Sequence, residues 1–173
     1  MTRIIGIDPG SRTTGYGIID YVDRRVRHVD SGTINTSRGE LPERLKEIFY
    51  GVDALLREFQ PSELAIEKVF VQKNVDSALK LGQARGAAIC AAVTHDLPVA
   101  EYSPNQIKQA VVGKGHATKE QVQHMVTMLL NLDEQPTNDA ADGLACALCH
   151  GHTRETLGRF NAEHLRIGRG RLR

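Results

Sequence analysis

The sequence predicts an α/β fold: one mixed five-stranded sheet, three antiparallel strands followed by parallel ones, with helices on both faces. Three observations carry this reading. Apolar segments joined by short turns fill the first 35 residues. Helical periodicity takes over from Leu41, and two short apolar runs, Glu63–Glu67 and Val99–Tyr102, alternate with helical stretches as βα units do.

Taken in order, Arg3–Ile7, Thr14–Tyr21 and Val26–Asn35 read as strands, with turns at Pro9-Gly10 and Asp23-Arg24-Arg25. A helix follows, with Pro42 near its first turn and Leu41, Leu45, Ile48, Phe49, Val52, Leu55, Leu56 and Phe59 on its apolar face; Gln60-Pro61 stops it. After the strand Glu63–Glu67, a helix spans about Val75 to Thr94, then come the strand Val99–Tyr102 and a short helix at Asn105–Val112. Thr118 and Gln121 form a capping-box pair ahead of Val122, Met125, Val126, Leu129 and Leu130. The last helix starts near Asn138, with Leu144, Ala145 and Leu148 on its apolar side.

At 173 residues, with 40% hydrophobic and 25% charged side chains, the chain has ordinary globular composition and enough length for a genuine core. The division expected is a domain at 1–155 and a basic, mobile C-terminal tail at 156–173. No apolar run reaches membrane-spanning length and no apolar leader is visible, so a soluble, cytoplasmic protein without membrane contact is expected. Three cysteines fit reduced thiols. The net charge of +1 hides an asymmetry: residues 1–150 carry a net −3, and the remainder, with six arginines against Glu155 and Glu163, carries +4. A basic end suits a polyanion, or simply solubilises.

Four acids stand where regular elements start or stop. Asp8 closes the run Ile4-Ile5-Gly6-Ile7, Glu67 closes Leu64-Ala65-Ile66, and Asp139 and Asp142 lie three apart at a helix start, on one side of it. Each alone is an ordinary turn residue, strand-end charge or helix N-terminal acid. Gathered at one end of a sheet, they would repel one another unless a hard divalent cation neutralised them, which points to a magnesium site.

Ile5-Gly6-Ile7-Asp8-Pro9-Gly10-Ser11 with Thr14-Gly15-Tyr16-Gly17 resembles the opening motif of the RuvC family of crossover junction endodeoxyribonucleases. Ala65-Ile66-Glu67-Lys68-Val69-Phe70, the stretch Ala78 to Gly86, Val111-Val112-Gly113, Asp139-Ala140-Ala141-Asp142-Gly143-Leu144-Ala145 and the ending Gly168 to Arg173 continue the resemblance over essentially the whole chain. It implies a ribonuclease-H-like fold and a homodimer that cuts Holliday junctions by symmetric paired nicks, working with the RuvA–RuvB branch-migration complex. It also implies that Asp8, Glu67, Asp139 and Asp142 are catalytic and hold two Mg²⁺ ions, which Mn²⁺ could replace. Asp8 would lie between the two. Such a pair activates water and stabilises the leaving 3′-oxygen.

For DNA contact, Lys108 and Lys119 match family positions near the catalytic centre. Lys114, beside Gly113 and Gly115, is added on local grounds as part of a basic loop before a helix N-terminus. Phe70 would stack on an unpaired base, and Lys73, Lys80 and Arg85 would add backbone contacts. Ala78, Gly82, Gly86 and Cys90 make a small-residue seam that admits another backbone, either the sheet beneath or, in the family's dimer, a symmetry-related helix. Cys146-Ala147-Leu148-Cys149-His150 fits a haem-attachment pattern, but it continues an apolar helix in a chain with no visible export signal. Two buried thiols and no haem are expected. The rival readings are an actin- or Hsp70-like nucleotide-binding module, a ribonuclease-H-like nuclease for other branched or hybrid substrates, and a junction binder without catalysis.

Overall fold

The structure, a computed structural model, describes the backbone at residues 1–23, 25–70 and 74–169 and side chains as far as residue 157. Strands β1 (Thr2–Asp8), β2 (Thr13–Val22) and β3 (Arg25–Asn35) form an antiparallel meander. Helix α1 (Leu41–Phe59) leads to β4 (Glu63–Glu67), α2 (Val75–Val93) to β5 (Val99–Tyr102), and α3 (Pro104–Val112), α4 (Lys119–Leu130) and α5 (Asn138–Arg169) complete the chain. The sheet order is β3-β2-β1-β4-β5, with β4 parallel to β1 and β5 parallel to β4. The predicted mixed five-stranded sheet is present, with β1 at its centre.

The two-residue period of the strands divides the core in two. Ile5, Ile7, Ile18, Leu64 and Ile66 point to one face and pack with Ile48, Val52 and Leu56 of α1 and Ala84, Ala88, Ala91 and Ala92 of α2. Ile4, Ile19 and Ala65 point to the other, beneath α5, which is covered in turn by Ile107 and Val111 of α3 and Val122 and Val126 of α4. Helix α5 is therefore buried over Ala140–Cys149 except at Asp142, a wider surface than the apolar side of Leu144, Ala145 and Leu148 that the sequence marks.

Caps fix where the helices begin. Asn74 accepts from the Ser77 amide at the start of α2, and Ser103–Gln106 and Thr118–Gln121 form capping boxes on α3 and α4. Gly113, with φ +80°, ends α3 in the left-handed region that glycine tolerates.

Two further expectations can be set beside the structure. The boundary drawn between residues 155 and 156 falls inside α5, whose backbone stays helical to Arg169; residues 170–173 lie outside the described ones. Packing of the Gly82–Gly86 seam onto the sheet is also excluded, since a Cβ at either glycine would meet nothing within 4 Å. The seam is on the outer side of α2. Cys146 and Cys149 are both buried, as expected, and burial pushes the Cys146 thiol well up, as suits an inert core group. Among the described residues no helix is long and apolar enough to cross a membrane.

Candidate active site

Strand parity aims the first two acids. Ile7 pairs with Ile66, so Asp8 and Glu67 stand side by side one residue further along the parallel pair. Asp8 shares the face of Gly6 and Glu67 that of Ala65, and this is the face covered by α5. Both carboxylates thus emerge at the sheet end where α5 begins.

Four glycines bring the other two acids there. A Cβ on Gly15, the β2 partner of Asp8, would strike the Asp139 carbonyl; one on Gly6 would strike the Gly143 carbonyl. A Cβ on Gly17 would come within 2.5 Å of the Leu144 main chain, and one on Gly143 within 2.5 Å of Tyr16. The first turns of α5 therefore lie directly on the backbone of β1 and β2, and Asp139 and Asp142 join Asp8. The Thr14-Gly15-Tyr16-Gly17 motif is a helix seat, a role hidden in the sequence because it needs the partner helix to be seen. Thr14, fully buried, pins the turn after Asp8: its hydroxyl donates to the Gly10 carbonyl at 2.9 Å and accepts from the Gly10 amide at 3.3 Å.

The four acids repel as anticipated. Burial, then the charges of Glu67 and Asp142, push Asp8 up to about 8; burial and Asp142 push Glu67 up to about 7. Burial also raises Asp142, although Lys119 opposes it, with Nζ 3.3 Å from Asp142 Oδ2. Lys119 opens α4 and Lys108 lies on α3; both favour ionised Glu67.

The donor set suits a hard divalent cation: carboxylate oxygens with excess negative charge and too little local compensation. Among the described residues no three His, Cys, Asp or Glu side chains converge to hold a metal unaided.

Beside Asp8 and Glu67 opens a cavity of about 410 Å³, whose walls include Pro9, Phe70, Leu81 and Pro104. Phe70 is 57% exposed at its edge. Lys114 is exposed on the α3–α4 loop, and Lys80 is paired with Asp76 one turn earlier at 2.6 Å. Lys73 lies outside the described residues. Ala78 lines the cavity, whereas Gly82 and Gly86 follow the outer side of α2. Arg85 turns inward, its Nε donating to the main-chain carbonyl of Glu67 at 3.1 Å and its Nη2 to Glu101. His150 has both ring nitrogens engaged, Nδ1 2.7 Å from the Tyr102 hydroxyl and Nε2 2.6 Å from Glu63.

The family model for crossover junction endodeoxyribonuclease RuvC matches residues 4–150. The chain is 57% identical to the crossover junction endodeoxyribonuclease RuvC of Aeromonas hydrophila over 173 residues, covering 100% of both chains. Among solved structures it resembles T. thermophilus RuvC in complex with Holliday junction substrate, at 37% identity and TM-score 0.80, over 87% of this chain and 93% of that one. The yeast mitochondrial Holliday junction resolvase Ydc2 shares the fold at 12% identity and TM-score 0.69, over 96% of this chain and 86% of that one.

Proposed function

Because the chain belongs to the family of crossover junction endodeoxyribonucleases RuvC, we propose that it resolves Holliday junctions by phosphodiester hydrolysis at the cluster of Asp8, Glu67, Asp139 and Asp142. Its sheet is ribonuclease-H-like and its cofactor a divalent metal. The observation that supports the site assignment is that acids from two parallel strand ends and from a helix seated on glycines lie near enough for burial and neighbouring carboxylate charge to raise both Asp8 and Glu67.

Asp8, Glu67, Asp139 and Asp142 would together hold two Mg²⁺ ions, with Mn²⁺ able to substitute. When bound, such ions activate a water and stabilise the departing 3′-oxygen. The chain's own groups do the rest. Ionised, the carboxylates orient and accept from the attacking water. Lys119 and Lys108 place positive charge beside the site, where a scissile phosphate would sit, and so hold the anionic strand against an acidic cluster that would otherwise repel it. Lys114 and Lys80 extend the backbone contacts, and Lys73 is assigned with them from sequence. Exposed Phe70 presents a ring to a base unstacked at the junction point, worth about 1–3 kcal/mol.

Paired nicks need two such sites. The outer side of α2, with Val75 60% and Leu79 63% exposed beside the open Gly82–Gly86 seam, supports a two-fold homodimer through this helix. In the cytoplasm the dimer would receive its junction from the RuvA–RuvB complex.

A labelled four-way junction with a mobile core, incubated with and without Mg²⁺ beside a linear duplex, tests the reading. Symmetric nicks that require Mg²⁺, spare the duplex and disappear in Asp8→Asn, with junction binding retained, are expected. Normal cutting by both Asp8→Asn and Asp142→Asn would remove the metal assignment.

A further inference from the structure

Arg85 belongs to α2, and its side chain, 20% exposed, passes under the sheet on the face opposite the carboxylates. Its Nε donates to the Glu67 carbonyl at 3.1 Å and its Nη2 to Glu101 of β5. The need for this contact follows from the ladder. Backbone groups of successive strand residues point to opposite neighbours, and the amides of Leu64 and Lys68 bond to β5, at the carbonyls of Pro98 and Tyr102. The Glu67 carbonyl therefore points toward β1. Continuing the register of Ile7 with Ile66 brings it to Pro9, which has no N–H to give. At the end of β4 the acid's own carbonyl would lack its ladder donor, and a half-buried carbonyl without a donor is costly.

We propose that Arg85 is a positioning residue for the cleavage reaction: it replaces the amide missing at Pro9, fixes the Glu67 main chain from beneath the sheet, and thereby sets the direction of the Glu67 carboxylate. Glu101 holds the guanidinium in place from β5. This rests on the reading of Glu67 as a metal ligand. It differs from a DNA-contact role for Arg85, because both observed partners lie within the fold.

The test compares Arg85→Gln, Arg85→Lys, Glu101→Gln and Glu67→Gln. Junction affinity is measured across a salt series without Mg²⁺, single-turnover cleavage across a Mg²⁺ series, and Mn²⁺ binding by calorimetry on the free protein. Arg85→Gln is expected to bind the junction within about twofold of the parent with the same salt slope. It should cut about tenfold or more slowly at saturating junction, since small misplacements of reacting groups are expensive, and bind Mn²⁺ several-fold more weakly. Arg85→Lys, keeping one donor, should recover part of both losses. Glu101→Gln, at a half-exposed position that folding tolerates, should move cleavage and Mn²⁺ binding the same way by less. Loss of junction affinity with a salt slope reduced by about one would identify Arg85 as a phosphate contact and overturn the proposal; so would unchanged Mg²⁺ dependence in Arg85→Gln and Glu101→Gln. Glu67→Gln separates the two layers. If it still binds Mn²⁺ and cuts normally, the metal-ligand reading fails; if it is inactive while Arg85→Gln is normal, only the positioning role fails.

Discussion

Asp8 and Glu67 each carry a proton at a pH where an ordinary carboxylate has lost it. Their ordinary values of 3.8 and 4.5 are lifted to about 8 and about 7, first by burial and then by neighbouring acids. The sign of the consequence is fixed by linkage: between about pH 4 and about pH 8 the folded, metal-free protein binds more protons than the unfolded chain, so its stability falls as pH rises through that window. A divalent cation takes the ionised forms, so its binding should strengthen over the same range and release protons. Thermal melts without divalent metal are expected to show Tm declining from about pH 5 to about pH 8.5, with the decline shallower in Asp8→Asn. At the alkaline end, Mg²⁺ should restore Tm in the parent and act weakly on the variant. A metal-free Tm that climbs with pH would contradict the crowded-carboxylate account. The acids themselves were legible from sequence, because strand ends and a helix start are places where distant segments meet. Arg85, Thr14 and the His150 network were not: their roles lie in contacts with partners 4 to 87 residues away that no local pattern announces.

At the scale of elements, the decisive contact is α5 against β1 and β2. Periodicity, turn residues and capping pairs marked every strand and helix, and the ends they gave differ from the observed ones by a residue or so; no end was read for α4 or α5. What the pattern did not contain was the distance at which α5 packs. Only the facing Asp139 and Leu144 main chains show why a side chain is barred at Gly15 and Gly17. The small-residue seam of α2 left two readings open, the sheet or a symmetry-related helix, since sequence alone does not say which side of a helix faces the sheet. Gly143→Ala tests the seat. Alanine favours an isolated helix by about 1 kcal/mol, whereas forcing a methyl into the Tyr16–Gly17 backbone costs roughly 1–3 kcal/mol, and the near-rigid main chain on the other side should let the steric cost prevail. The expected result is a lower Tm, about 2–4 °C per kcal/mol, with cleavage reduced more than junction binding because Asp139 and Asp142 lie in the turn just before the displaced residue. A variant as stable as the parent would mean that α5 has room the structure denies it.

For the whole molecule, the question is how one active site becomes a pair. Helix α2 faces inward through Ala84, Ala88, Ala91 and Ala92 and outward through Val75, Leu79 and Val93, which are 58–63% exposed, with no Cβ neighbour at Gly82 or Gly86 between them. An isologous contact along this helix would bury the apolar residues of both copies and let the backbones approach at the glycines. The same helix begins at the Glu67 cavity and carries Arg85 to the Glu67 carbonyl, so dimer contact and site geometry would share one rigid element. Leu79→Asp puts a charge on each side of the two-fold without touching the core, since the position is exposed in the single chain. Sedimentation should then show a monomer where the parent is expected to sediment as the proposed dimer, and melting should be little changed at low protein concentration. A supercoiled plasmid with an extruded cruciform gives the functional readout. The parent should yield linear DNA, because both strands are cut within the lifetime of one complex; the variant should accumulate nicked circles, because each monomer cuts once and leaves. Linear product from a protein proven monomeric would separate paired cleavage from dimerisation, and a variant that remains dimeric would move the interface away from α2.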